Sequence, residues 1–220
     1  VKLSHYSEKR LKSSVAGSGM IYIQNGTPEI QTGPKVDSAE LGKLERIDRA
    51  ATLFLYEKTA NPVFEYIMPV FSLAMNRGFI HIAGGTLMLV LGGPQIRNAG
   101  ITMLAASGAA GTLAEIAIKR FWKRKRPFMV VEKIKPKVPF RRLTRKPSFP
   151  SGHSAAYLAS AVSLSICFPS WAGVFMTAGV LGAFSRIYNG VHFLSDVLAG
   201  SAIGIFFGLL ITGPLMSLLS

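Results

Sequence analysis

The sequence predicts an all-α protein: a polytopic membrane helix bundle with about five transmembrane helices, preceded by amphipathic surface helices. Three observations carry that expectation. Of the 220 residues, 49% are hydrophobic. The charges are segregated, because the runs 78–96, 154–185 and 197–220 contain no Lys, Arg, Asp or Glu. Lys and Arg outnumber Asp and Glu by 25 to 11, and 13 of those cations crowd into residues 119–146 beside one acid, Glu132. Long uncharged stretches flanked by cation clusters mark a chain that crosses a bilayer.

Taken in order, residues 1–37 read as a polar, poorly ordered tail without the apolar core of a secretory signal. Residues 38–76 read as surface helices. Leu41, Leu44, Ile47, Ala51 and Leu55 recur at three- and four-residue intervals after a cap at Asp37 or Ser38, giving one apolar face. Asn61 and Pro62 end that helix, and the apolar stretch 62–76 carries Glu65 and is short for a span. Both segments suit the membrane surface. The remainder, 77–220, is the transmembrane core. Its first span is Gly78–Ile96, closed by a turn at Pro94 and Arg97, and its second runs from about Ala99 to Phe121. The uncharged run 154–185 is too long for one crossing of about 30 Å at about 1.5 Å per residue. Pro169–Ser170 divides it in two. Val197–Ser220 makes the fifth, with Gly200, Gly204 and Gly208 on a face that lets a neighbouring helix approach.

Some function classes fall away at once. A sequence pI near 10.2 would suit a nucleic-acid binder, but the apolar runs do not fit a compact nucleic-acid module. The single cysteine, Cys167, excludes an internal disulfide and a Cys-based zinc site, and it sits in an apolar run as packing.

Three polar clusters stand at the ends of apolar helices: Lys119-x6-Arg126-Pro127, Pro150-Ser151-Gly152-His153, and Ser185-Arg186-x5-His192-x3-Asp196. Counting crossings brings all three to one membrane face. Lys119, Arg126 and Arg186 would neutralise a dianion, with Arg forks matching phosphate oxygens in pairs. Ser151 and Gly152 open a helix whose free N–H groups attract an anion. Two histidines suit a two-step displacement in which one attacks phosphorus and the other protonates the leaving oxygen. Asp196, one turn after His192, can hold one ring nitrogen protonated and aim the other. No carboxylate cluster suits a magnesium ion, so neither metal nor cofactor is expected.

Together these motifs resemble those of the type 2 phosphatidic acid phosphatase (PAP2) superfamily, which includes lipid phosphatases and vanadium haloperoxidases. Every motif position is present, in order, over residues 119–196. The resemblance implies His192 as the nucleophile that forms phosphohistidine. It implies His153 as acid to the leaving group and later base for water, with Asp196 orienting His192. Lys119, Arg126, Ser151, Gly152 and Arg186 would then hold the phosphoryl oxygens. Many bacterial members have six spans, whereas five are counted here, with a polar tail in place of the usual first.

The expected activity is removal of phosphate from a lipid phosphate or diphosphate in the bilayer: phosphatidate, phosphatidylglycerol phosphate, or a polyprenyl phosphate or diphosphate. A soluble sugar phosphate and a non-catalytic adaptor for acidic headgroups are the competing readings. The adaptor has no need of His153 and His192. Of the 25 Lys and Arg, 24 fall on the site's side and only Arg97 opposite, which places the active site on the cytoplasmic face of the cell membrane.

Overall fold

The computed structural model describes residues 21–24, 27–30, 42–74, 78–138 and 143–219. Among these, the chain is helical apart from one antiparallel hairpin, β1 (Ile21–Gln24) and β2 (Thr27–Ile30), which sets Ile21 opposite Ile30. The hairpin falls inside the stretch read as tail and leaves the expected all-α bundle unchanged. Ile21, Tyr22 and Ile23 favour a strand, and Pro28 and Glu29 opposite them do not, so local preference alone does not announce the hairpin. The rest of residues 1–37, with the caps Asp37 and Ser38 and with Leu41, lies outside the described residues.

Eight helices follow among the described residues: α1 (Lys43–Lys58), α2 (Pro62–Ala74), α3 (Phe79–Leu91), α4 (Pro94–Phe121), the single turn α5 (Pro127–Val130), α6 (Gly152–Cys167), α7 (Ala172–Tyr188) and α8 (Leu194–Leu219). The expected first span, Gly78–Ile96, is cut short. Helix α3 stops at Leu91, and Pro94 opens α4 at a position where its missing N–H costs nothing. Pro94 and Arg97 therefore belong to α4, and the turn is Gly92–Gly93. Helices α4 and α8 are long and apolar enough to cross a membrane; α3 and most of α2 are apolar but shorter.

Helix α6 lies at the centre, with α4, α7 and α8 packed around it. Small residues allow this. A Cβ at Gly204 would overlap the Ala155 carbonyl, one at Gly200 the Ser151 carbonyl, and one at Gly208 would come within 2.7 Å of Val162 Cβ. On the other side Gly179 and Gly182 stand against Ala161 and Tyr157. The glycine face of α8 thus seats α6, and Ala106, Ala110, Ala114, Ala155 and Ala159 close the α4–α6 contact.

The first helix meets the protein with its polar stripe and keeps most of its apolar face outward. Leu44, Ile47 and Phe54 are exposed, while Asp48, Arg49 and the fully buried Thr52 face the protein. Leu55 still packs on the core beside Ile187 and Val197. The polar stripe is drawn inward because the N-terminal N–H groups of α8 need acceptors. Helix α2 packs on the end of α7: Met68 is fully buried, Phe64 sets its ring edge against Phe184 and Tyr188, and the Tyr157 hydroxyl donates to the Phe71 carbonyl.

Candidate active site

The end of α7, the turn 189–193 and the start of α8 form the floor of the site. Gly190, with φ +69°, turns the chain sharply where a Cβ would come within 2.7 Å of Ile134. The Arg186 carbonyl accepts the N–H groups of Val191 (3.1 Å) and His192 (3.3 Å), which fixes His192 directly beneath the end of α7.

Arg126 reaches this turn from the loop after α4. Its Nη1 donates to the Val191 carbonyl (2.8 Å) and contacts His192 Nε2 at 3.0 Å. Its Nε donates to the carbonyls of Leu143 and Lys146, and Nη2 to that of Pro147. An arginine is always a donor, so Nε2 of His192 is the unprotonated nitrogen, and the ring proton sits on Nδ1. Burial, with Arg126, Arg186 and Lys119 nearby, holds the His192 imidazole well below its ordinary range. Burial also pushes the Arg126 guanidinium down to about 10, against the pull of Glu115 and Asp196.

Asp196 is fully buried. Its Oδ2 lies 3.5 Å from His192 Nδ1, beyond hydrogen-bond length, and Nδ1 has no hydrogen-bond partner among the described residues. The carboxylate is held instead by Ser148 Oγ, the Phe193 N–H (2.8 Å) and Arg124 Nη1 (2.9 Å).

The other expected residues gather at the same end. Ser151 caps α6, accepting from the Ser154 N–H, and its own N–H donates to the Asp196 carbonyl (3.0 Å). His153, in the first turn of α6, lies among the cations Arg186, Lys119 and Arg126 and beside His192. Arg186 is buried, donates to Ser72 Oγ of α2, and has no partner for its Nε among the described residues. Lys119 is buried and paired with Glu115, which also lies 3.6 Å from Lys146. Glu115 sits in a π-helical segment, Leu113–Ile118, that widens α4. Gly152 makes room for it: a Cβ there would come within 2.6 Å of Glu115 Oε1.

All eight expected residues therefore meet at one end of the bundle. Ser72, Glu115, Arg124, Asp48 and Ser148 join them from outside the motifs. Of these, only Glu115 carried a sequence signal, its one-turn spacing from Lys119. Chemically, the cluster offers one unprotonated imidazole nitrogen, a second imidazole, and buried cations not neutralised by equal negative charge.

Comparison with known proteins gives the family and the fold. The family model described as PAP2 superfamily matches residues 99–213. The chain is 32% identical to an undecaprenyl-diphosphatase of Sulfolobus acidocaldarius over 139 residues, 61% of this chain and 63% of that protein. It is 36% identical to a lipid A 1-phosphatase of Rhizobium johnstonii over 72 residues, 33% of this chain and 30% of that protein. The chain thus spans less than two thirds of the length of these curated relatives. Its fold is similar to that of Aquifex aeolicus LpxE, with TM-score 0.61, 19% identity and coverage of 80% of this chain and 98% of the other. It is also similar to a transmembrane PAP2 type phosphatidylglycerolphosphate phosphatase of Bacillus subtilis, with TM-score 0.59, 23% identity and coverage of 82% and 90%.

Proposed function

Because this chain belongs to the PAP2 superfamily, we propose that it is an integral-membrane lipid phosphatase that works through a phosphohistidine on His192 and needs no metal. The observation that carries the proposal is the 3.0 Å contact of Arg126 Nη1 with His192 Nε2. It leaves Nε2 unprotonated among the cations Arg126, Arg186 and Lys119. An entering phosphoryl oxygen takes over the Arg126 N–H, which frees the Nε2 lone pair to attack phosphorus. The P–O bond to the lipid breaks and His153 protonates the departing oxygen. His153 then removes a proton from water, which attacks the phosphohistidine, releasing inorganic phosphate and restoring His192. Arg126, Arg186 and Lys119 stabilise the charge on the phosphoryl oxygens, with Ser151 and Gly152 at the helix N-terminus.

The substrate is a lipid phosphate or diphosphate: phosphatidate, phosphatidylglycerol phosphate or a polyprenyl phosphate or diphosphate. The relatives named for undecaprenyl diphosphate and lipid A support a lipid over a sugar phosphate. Helices α3, α4, α6, α7 and α8 make five crossings of the cell membrane. The cation bias, 24 on the site's side against Arg97, supports a cytoplasmic site.

Phosphate release by purified protein in detergent tests this reading. The panel is the four lipid classes and glucose 6-phosphate, with EDTA and vanadate as controls. Turnover of at least one lipid, lost in His192→Ala and in His153→Ala, resistant to EDTA and inhibited by vanadate, is the expected result. Full activity in His192→Ala would remove the nucleophile from the proposal.

A further inference from the structure

Outside the three motifs, one part-buried network joins the first helix to the turn that carries His192. Arg124 lies two residues before Arg126. Its Nη1 donates to Asp196 Oδ1 (2.9 Å) and to Ser195 Oγ (2.7 Å), its Nη2 donates to Asp48 Oδ2 (2.6 Å), and its guanidinium lies 4.0 Å over the Phe193 ring. Asp48, on α1, accepts from the Ser195 N–H (2.9 Å) and hydroxyl (2.6 Å). One turn along the same helix, Thr52 Oγ1 accepts the Leu194 N–H (2.9 Å). Two of the free N–H groups that begin α8 are therefore capped by another helix, more than 140 residues away in sequence.

We infer that Arg124 and Asp48 are positioning residues for the phosphoryl-transfer site, acting on His192 through the Asp196 carboxylate. Asp196 is fully buried, and a buried carboxylate needs a partnered charge as well as hydrogen bonds. Arg124 is the cation in direct contact with it. Ser148 and the Phe193 N–H take Oδ2, so Arg124 is what fixes Oδ1 and with it the plane of the carboxylate. That plane decides where Oδ2 stands relative to His192 Nδ1, 3.5 Å away. Closing this gap by a few tenths of an ångström would turn the contact into a hydrogen bond that holds the ring proton on Nδ1 and the lone pair on Nε2. Asp48 in turn pins Arg124 and Ser195 together, so that the carboxylate, its cation and the start of α8 are set as one unit.

The activity arm of the test rests on the proposed phosphatase reading; a spectroscopic arm does not. In the first, kcat and KM are measured on a hydrolysed lipid phosphate for Arg124→Gln, Asp48→Asn, Asp196→Asn and the double variant Arg124→Gln/Asp196→Asn. Arg124→Gln should lower kcat at least about tenfold with KM changed less than about twofold, and add less than about twofold once Asp196 is already Asn. Asp48→Asn, nearly isosteric, should show the same pattern with a smaller loss, and it serves if Arg124→Gln does not fold. In the second arm, 15N signals of the His192 ring are recorded on the ligand-free full chain. Both variants should shift the Nδ1 signal relative to wild type. Independent losses in the double variant, a loss confined to KM, or lowered thermal stability with unchanged kcat and His192 signals would overturn the inference and leave a structural staple. If wild type hydrolyses no lipid phosphate, the phosphatase reading fails while the ring signals still decide the role of Arg124.

Discussion

His192 and Glu115 meet the cations of the site in opposite ways. Burial and three cations keep the His192 imidazole neutral, with its pKa below the ordinary 6.5. The unfolded chain therefore binds this proton first as pH falls. The contribution to stability is complete above pH 6.5 and is lost progressively below it. The melting temperature of wild type should accordingly drop more steeply below pH 6.5 than that of His192→Gln. Glu115 instead stays bound to a cation, Lys119, that the proposed mechanism assigns to phosphate. An incoming phosphoryl group competes with that carboxylate, so Glu115→Gln should tighten inhibition by inorganic phosphate and by vanadate. Leaving Lys119 buried without its partner should cost about 1–2 kcal/mol by thermal unfolding, discounted because Glu115 is one-third exposed. The motif residues were legible because their spacing is local. Asp48, Arg124 and Ser72 were not, because nothing in the chain near Asp48 or Ser72 announces a partner so far along it, 76 residues on for Asp48 and 114 for Ser72.

At the scale of elements, the glycine face of α8 was readable from the four-residue spacing of Gly200, Gly204 and Gly208, but its partner was not. Packing supplies that answer: the α6 backbone fills the space a Cβ would need. Gly204→Ala should therefore destabilise the protein by about 1–3 kcal/mol, since the Ala155 carbonyl has nowhere to retreat. Gly213, on the same helix, has nothing within 4 Å of where an added Cβ would lie, and Gly213→Ala should be neutral or stabilising by up to about 1 kcal/mol. Thermal unfolding of the two variants in one detergent compares them directly. Helix α1 teaches the reverse lesson. Its period was legible, yet the inward turn of Asp48 and Thr52 was not, because it answers hydrogen-bond demand at the start of α8, far along the chain.

For the whole molecule, the uncharged runs located the helices of the bundle, and the break at Gly92–Pro94 shortened only one of them. Sidedness, part of the proposal above, is open to direct measurement. Single cysteines at Ser13 and Ser217, in a Cys167→Ser background, are labelled in intact cells with an impermeant maleimide. A cytoplasmic site predicts labelling at position 217 and none at 13, and the opposite pattern would put the site on the outer face. The capping of α8 by α1 also redraws the boundary of the working unit. The family match begins at residue 99, but the turn at 192–196 is already held from Asp48 and Thr52. A protein trimmed to the matched region would retain every motif residue and surrender the first N–H groups of α8 to water. Domain boundaries drawn from motif matches and those drawn from hydrogen-bond satisfaction differ here by about fifty residues, and a minimal expressible unit has to respect the second.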